Sequence, residues 1–72
     1  MSRAPYKPGD PIRVLTYHPD HGTILATRPV EAIRECDDDI HWVITWTTPT
    51  GLVEDTTVDA TGHDIHRYIE PA

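Results

Sequence analysis

The stretch "IHWVITWTT", residues 40–48, sets Trp42, Ile44 and Trp46 at every second position of a run rich in branched and aromatic side chains. Only an extended strand repeats every two residues, so this spacing turns three large apolar groups to one side and Val43, Thr45 and Thr47 to the other. A helix would turn Ile44 away from the two tryptophans. The chain must therefore supply a second layer to cover the apolar side. Both tryptophans of the protein lie in this run. Filling the core is the plain reading of that face. The sharper reading keeps Ile44 and one indole inside and leaves the other partly exposed at the rim, as an anchor for a partner.

Composition extends the strand reading to the whole chain. Ile, Val and Thr make up 22 of the 72 residues, and their branched side chains keep more freedom on a pleated surface than on a helix. Seven prolines and four glycines punctuate the sequence. "PIRVLTY", residues 11–17, alternates Ile12 and Val14 with Arg13, as a first strand with one buried face would. "HPDHG" is a turn, with Pro19 and Asp20 as turn formers and Gly22 free to take a positive φ. "GTILATRPVEAIRE", residues 22–35, is the longest strand-like run. Pro29 removes a backbone donor from its middle, so the strand is expected to bend there. A short helix from Pro29 to Glu35 fits less well, because only Val30 and Ile33 share helical spacing.

"CDDD" is a charged connection into the tryptophan strand. After it, "TPTG" offers Pro49 to the second position of a type I turn and Gly51 to a left-handed one. "LVEDTTVD" returns antiparallel, with Leu52, Val58 and Val53 as its apolar residues. "ATGHD" is a tight turn, read as one turn of 3₁₀ helix, and "IHRYIE" is a short last strand. Residues 1–9, with Pro5 and Pro8, are expected to form a flexible lead-in. No repeat of fixed period is present. Five antiparallel strands with turns every 8 to 12 residues point to an all-β barrel or sandwich.

The order of these segments resembles the SH3-like barrels, in particular the small KOW-type and Tudor-like versions. The residues that carry the resemblance are "PGDPIRVL", "HGTIL", "WVITWTTPTG" and "VDATGHDIHRY". It implies a five-stranded, strongly bent sheet over residues 10–70, whose first and last strands lie together and which serves binding more often than chemistry.

Charge narrows the partner. Twelve acidic against six basic residues give a net charge of −6, opposite to what phosphate-backbone binding requires. A nucleic-acid role would need a local basic face from Arg13, Arg28, Arg34 and Arg67, or an acidic surface that occupies a nucleic-acid-binding protein as a decoy. The favoured reading is a non-catalytic protein-interaction module. Its surface is built from Glu54, Asp55 and Asp59 with a rim residue from Trp42 or Trp46, and Tyr68 beside it. Tyr6 and Tyr17 would extend such a patch if the first and last strands adjoin. The partner is then a protein with a basic patch, and self-association through the tryptophan strand is the nearest variant.

Other chemistry finds less support. The pairs His18/His21 and His63/His66, with His41, would hold a transition metal only if the two turns converged, and solvated turn residues are the plainer reading. No metal or other cofactor is expected. Cys36 stands beside three aspartates, whose negative charge disfavours a reactive thiolate. Asp37, Asp38 and Asp39 lack the spaced ligands and glycine of a calcium loop. Ser2 is the sole serine, and no phosphate loop or nucleophile elbow occurs, so no enzyme activity is expected. A single cysteine forms no internal disulfide, nothing near Met1 resembles a signal peptide, and no run approaches the roughly 20 apolar residues of a membrane helix. A cytoplasmic protein is expected.

Overall fold

The computed structural model describes residues 3–64 and 66–72. It is all-β, and each strand pairing is antiparallel. The strands are β1 (Pro11–His18), β2 (Gly22–Pro29), β3 (Ala32–Glu35), β4 (Trp42–Thr47), β5 (Val53–Val58) and β6 (Ile69–Pro71). They form two three-stranded sheets, one in the order β2-β1-β6 and the other β3-β4-β5.

Six strands in two sheets replace the expected five-stranded closed barrel, and Pro29 is the cause. The run from Gly22 to Glu35 does bend there, but so sharply that it changes sheets. Pro29 has no amide hydrogen to donate. The Val30 amide turns to the Asp10 carbonyl at 2.8 Å, and the Glu31 amide to the Thr45 carbonyl at 2.8 Å. One covalent strand thus serves β1 before the bend and β4 after it. No closed barrel forms among the described residues: β6 pairs with β1 over only Ile12–Val14, and β5 pairs with β4 alone. The alternative helix from Pro29 to Glu35 is likewise replaced by the bend and β3.

The two sheets close on a single apolar layer. Ile12 and Val14 of β1 and Ile69 of β6 face Trp42, Ile44 and Trp46 of β4 and Val58 of β5, with Val30 at the crossing. Withdrawing about 150–250 Å² of each indole from water, at about 25 cal/mol per Å², contributes about 4–6 kcal/mol before entropic costs. That is comparable with the entire net stability expected of so short a chain. The Trp46 indole N–H is not orphaned by this burial, because it donates to Thr56 Oγ1 at 3.1 Å.

The turns follow the local chemistry. Gly22 and Gly51 take φ of +73° and +90°, and in the β4–β5 hairpin the Gly51 amide donates to the Thr48 carbonyl at 2.9 Å. The Cys36–His41 connection closes when the Asp38 carboxylate accepts the amides of Ile40 and His41, both at 3.0 Å. Leu52 and Val53 are exposed, so Val58 alone of the three apolar residues expected there reaches the core.

Two further expectations are corrected. Before the last strand there is no 3₁₀ helix among the described residues but a turn organised by Asp59, with the Gly62 amide donating to its carbonyl at 3.0 Å. The strand itself begins at Ile69, and Ile65, the first residue of the expected strand, lies outside the described residues. The segment before β1 packs against the sheets. Tyr6 is buried in the core, and the Gly9 amide donates to the Val30 carbonyl at 2.7 Å. Met1 and Ser2 of that lead-in lie outside the described residues. No helix is long and apolar enough to cross a membrane among the described residues.

Candidate functional site

Strand alternation decides where each expected site residue points. Trp42 is 2 % exposed and Trp46 0 %, so neither indole stands at a rim. The expected exposed tryptophan is corrected: both rings lie in the core between the two sheets. The Trp strand also has no free edge, because β4 lies between β3 and β5. β4 therefore offers no unpaired edge of its own to a second copy.

The four polar members of the expected surface separate. Glu54 lies opposite Trp46 in the hairpin register and points to the same side as buried Thr56 and Val58. Asp55 points to the other side, where it accepts from Thr45 Oγ1 at 2.7 Å. Asp59 belongs to the turn after β5, accepting from the Thr61 amide at 2.9 Å and the His63 amide at 3.2 Å. The Thr61 hydroxyl and these amides hold the Asp59 carboxyl below its ordinary value. Tyr68 sits on the outer side of the first sheet, its carbonyl accepting from the Leu15 amide at 3.2 Å. Its hydroxyl donates to Glu70 Oε1 at 2.7 Å, which pushes the phenol pKa up.

What the fold does assemble is a cleft at the open side of the two sheets, of about 370 Å³. Leu15, Thr16, Tyr17 and Thr23 of the first hairpin form one wall, and Thr48, Thr50 and Leu52 form the other. Leu15, Tyr17 and Leu52 are 46, 64 and 63 % exposed. Glu54 and Arg67 close one part of it. The Arg67 guanidinium carbon lies 5.4 Å from the centroid of the Trp46 ring, in cation–π geometry. Its other contact, to Glu54 Oε2, is long at 3.9 Å, with both side chains 38 % exposed. A pair so exposed contributes at most about 1 kcal/mol, so either charge is free to exchange its partner.

Of these residues Glu54 was named from the sequence for its charge, as one of three acidic surface residues. Tyr17 was read only as an extension of the aromatic patch. Leu15, Leu52 and the covering role of Arg67 carried no local signal, since the cleft joins segments far apart in the chain.

The other candidates are placed apart. Arg13 pairs with Glu70 at 3.3 Å and Arg28 donates to the Thr47 carbonyl at 2.7 Å. Arg34 is exposed on β3, so with Arg67 in the cleft the four arginines form no common face. His18 and His21 stack at 4.8 Å between centroids at the β1–β2 turn. His41 bonds Asp38 at 2.6 Å, and His63 bonds the Thr61 hydroxyl at 2.9 Å. Among the described residues no three His, Cys, Asp or Glu side chains gather into a metal-holding group.

Fold and cleft together define a small two-sheet, all-β domain with a partly apolar, charge-edged opening. Set against known protein families, curated proteins and solved structures, the chain matches none of them.

Proposed function

We propose that this protein is a non-catalytic protein-binding module whose cleft takes a basic segment of its partner. The observation that carries the reading is the Glu54–Arg67 pair at the edge of exposed Leu15, Tyr17 and Leu52. A lysine or arginine of the partner replaces Arg67 at Glu54, while its aliphatic stem lies along the apolar wall. The net charge of −6 steers such a segment inward. The SH3-like resemblance belongs to the same proposal. It is supported by a strand that passes between two sheets at Val30 and by the pairing of the first strand with the last.

Trp46 reports directly on this exchange, because Arg67 lies over its ring. Titrating Lys- and Arg-rich peptides against the protein is expected to change tryptophan emission, with affinity falling as salt rises. Glu54→Gln should weaken binding about two- to fivefold, in keeping with a partly exposed charge contact. Affinity independent of both salt and Glu54 would overturn the reading.

A further inference from the structure

A strand at the edge of a sheet offers unpaired backbone donors and acceptors to any other extended chain, and native edges carry devices that prevent this. Three of the four outer strands here have them. β3 carries Arg34 and Glu35, β5 carries Glu54 and Asp55, and β6 is three residues long with Glu70 and Pro71. β2 has no such device over its first six residues. Gly22–Thr27 reads GTILAT, without charge or proline, and pairs with β1 on one side only among the described residues. The first protective features, Arg28 and Pro29, come at its far end.

The outer side of the same sheet is apolar in a row that runs towards this edge. Leu25 pairs with Leu15, and the Leu15 amide donates to the Tyr68 carbonyl. Leu25, Leu15 and Tyr68 are 50, 46 and 47 % exposed. The row ends at β2, which has no strand paired to its outer edge among the described residues.

We propose that the edge of β2 over Gly22–Thr27 pairs antiparallel with the same strand of a second copy, joining two three-stranded sheets into one of six. The occupant is a second copy because the edge complements itself. With Leu25 opposite Leu25 of the other copy, Thr23 meets Thr27, and no charge meets a like charge. The apolar row then continues from Tyr68, Leu15 and Leu25 into its own mirror sequence, as a two-fold interface requires. A strand bearing charge would bring no counter-charge to match along this edge. A chain this short also stands to gain from added burial. The inference goes beyond the cleft reading; Leu15 and Thr23 also line the cleft, so the two surfaces adjoin on the same side of the sheet.

Light scattering over a wide range of concentration tests it, at low and at high salt. The wild type should approach twice the mass of one chain as concentration rises. Salt should strengthen the association, because it screens repulsion between two chains of charge −6; basic-peptide binding at the cleft should respond in the opposite sense. Leu25→Lys, at a half-exposed position, sets two like charges face to face and should weaken association about tenfold or more. Its circular dichroism and melting temperature should show a native fold. Leu25→Met, keeping an apolar side chain, should still associate. A wild type that keeps the mass of one chain at every concentration and salt overturns the proposal. So does a folded Leu25→Lys that associates as strongly as the wild type.

Discussion

The Tyr6 hydroxyl donates to the Gly62 carbonyl at 2.5 Å, joining residues 56 apart in sequence. One bond thus fastens the segment before β1 to the turn before β6, and the aromatic ring fills the end of the core between them. Burial, then the negative charges of Asp59, Glu70 and Asp10, push the Tyr6 pKa up to about 12 from 10.0.

This bond predicts an alkaline limit to stability. Because the folded pKa is the higher one, the contribution of Tyr6 is complete below about pH 10, where both states keep the proton. It is lost as pH rises towards 12, where the unfolded chain ionises first. Urea midpoints measured across this range should fall for the wild type and fall less steeply for Tyr6→Phe. At neutral pH Tyr6→Phe should cost about 1 kcal/mol.

Gly62 is the other half of the fastening. It has φ +85°, and a Cβ there would lie 2.6 Å from the Tyr6 hydroxyl oxygen. Gly62→Ala is expected to destabilise by about 2–3 kcal/mol, from the left-handed backbone and the displaced ring together. Thermal melts of Gly62→Ala, Tyr6→Phe and the double variant should be non-additive, with the double less destabilised than the sum.

Acid should loosen two loops. The Asp59 carboxyl is held low chiefly by the Thr61 hydroxyl, and that of Asp38 chiefly by its bond to His41. A depressed folded pKa stabilises above the ordinary carboxylate value and ceases to do so as pH falls through the folded one. Carboxyl titrations followed by NMR should place both residues below the ordinary aspartate value, and Asp59→Asn should remove one source of the acid-side loss of stability.

Arg67 should act as the cover of Trp46. Arg67→Ala is expected to shift tryptophan emission to the red as water reaches the indole, with a stability loss of about 1 kcal/mol or less. Trp46→Ala, by contrast, should cost about 3–5 kcal/mol and leave little folded protein. Emission spectra with urea titrations separate the two.

Much of the secondary structure was legible because its causes are local. Alternation at Ile12 and Val14, and again at Trp42, Ile44 and Trp46, fixed two strands and their buried sides. Gly22 and Gly51 marked two turns, and Pro29 marked the bend. The depth of that bend was not local: it depends on the Asp10 and Thr45 carbonyls that receive the amides beyond the proline. For the same reason a five-strand expectation became six.

The sequence by itself determined that this chain forms strands, where most of them turn, and which alternate side chains each would bury. Only the tertiary structure decided that both indoles lie inside, that Tyr6 joins them, and that Glu54 meets Arg67. Periodicity acts between neighbours along the chain and states which residues share a face. What covers that face is set by residues many positions away, and their arrival depends on the total burial and hydrogen bonding of the packed sheets.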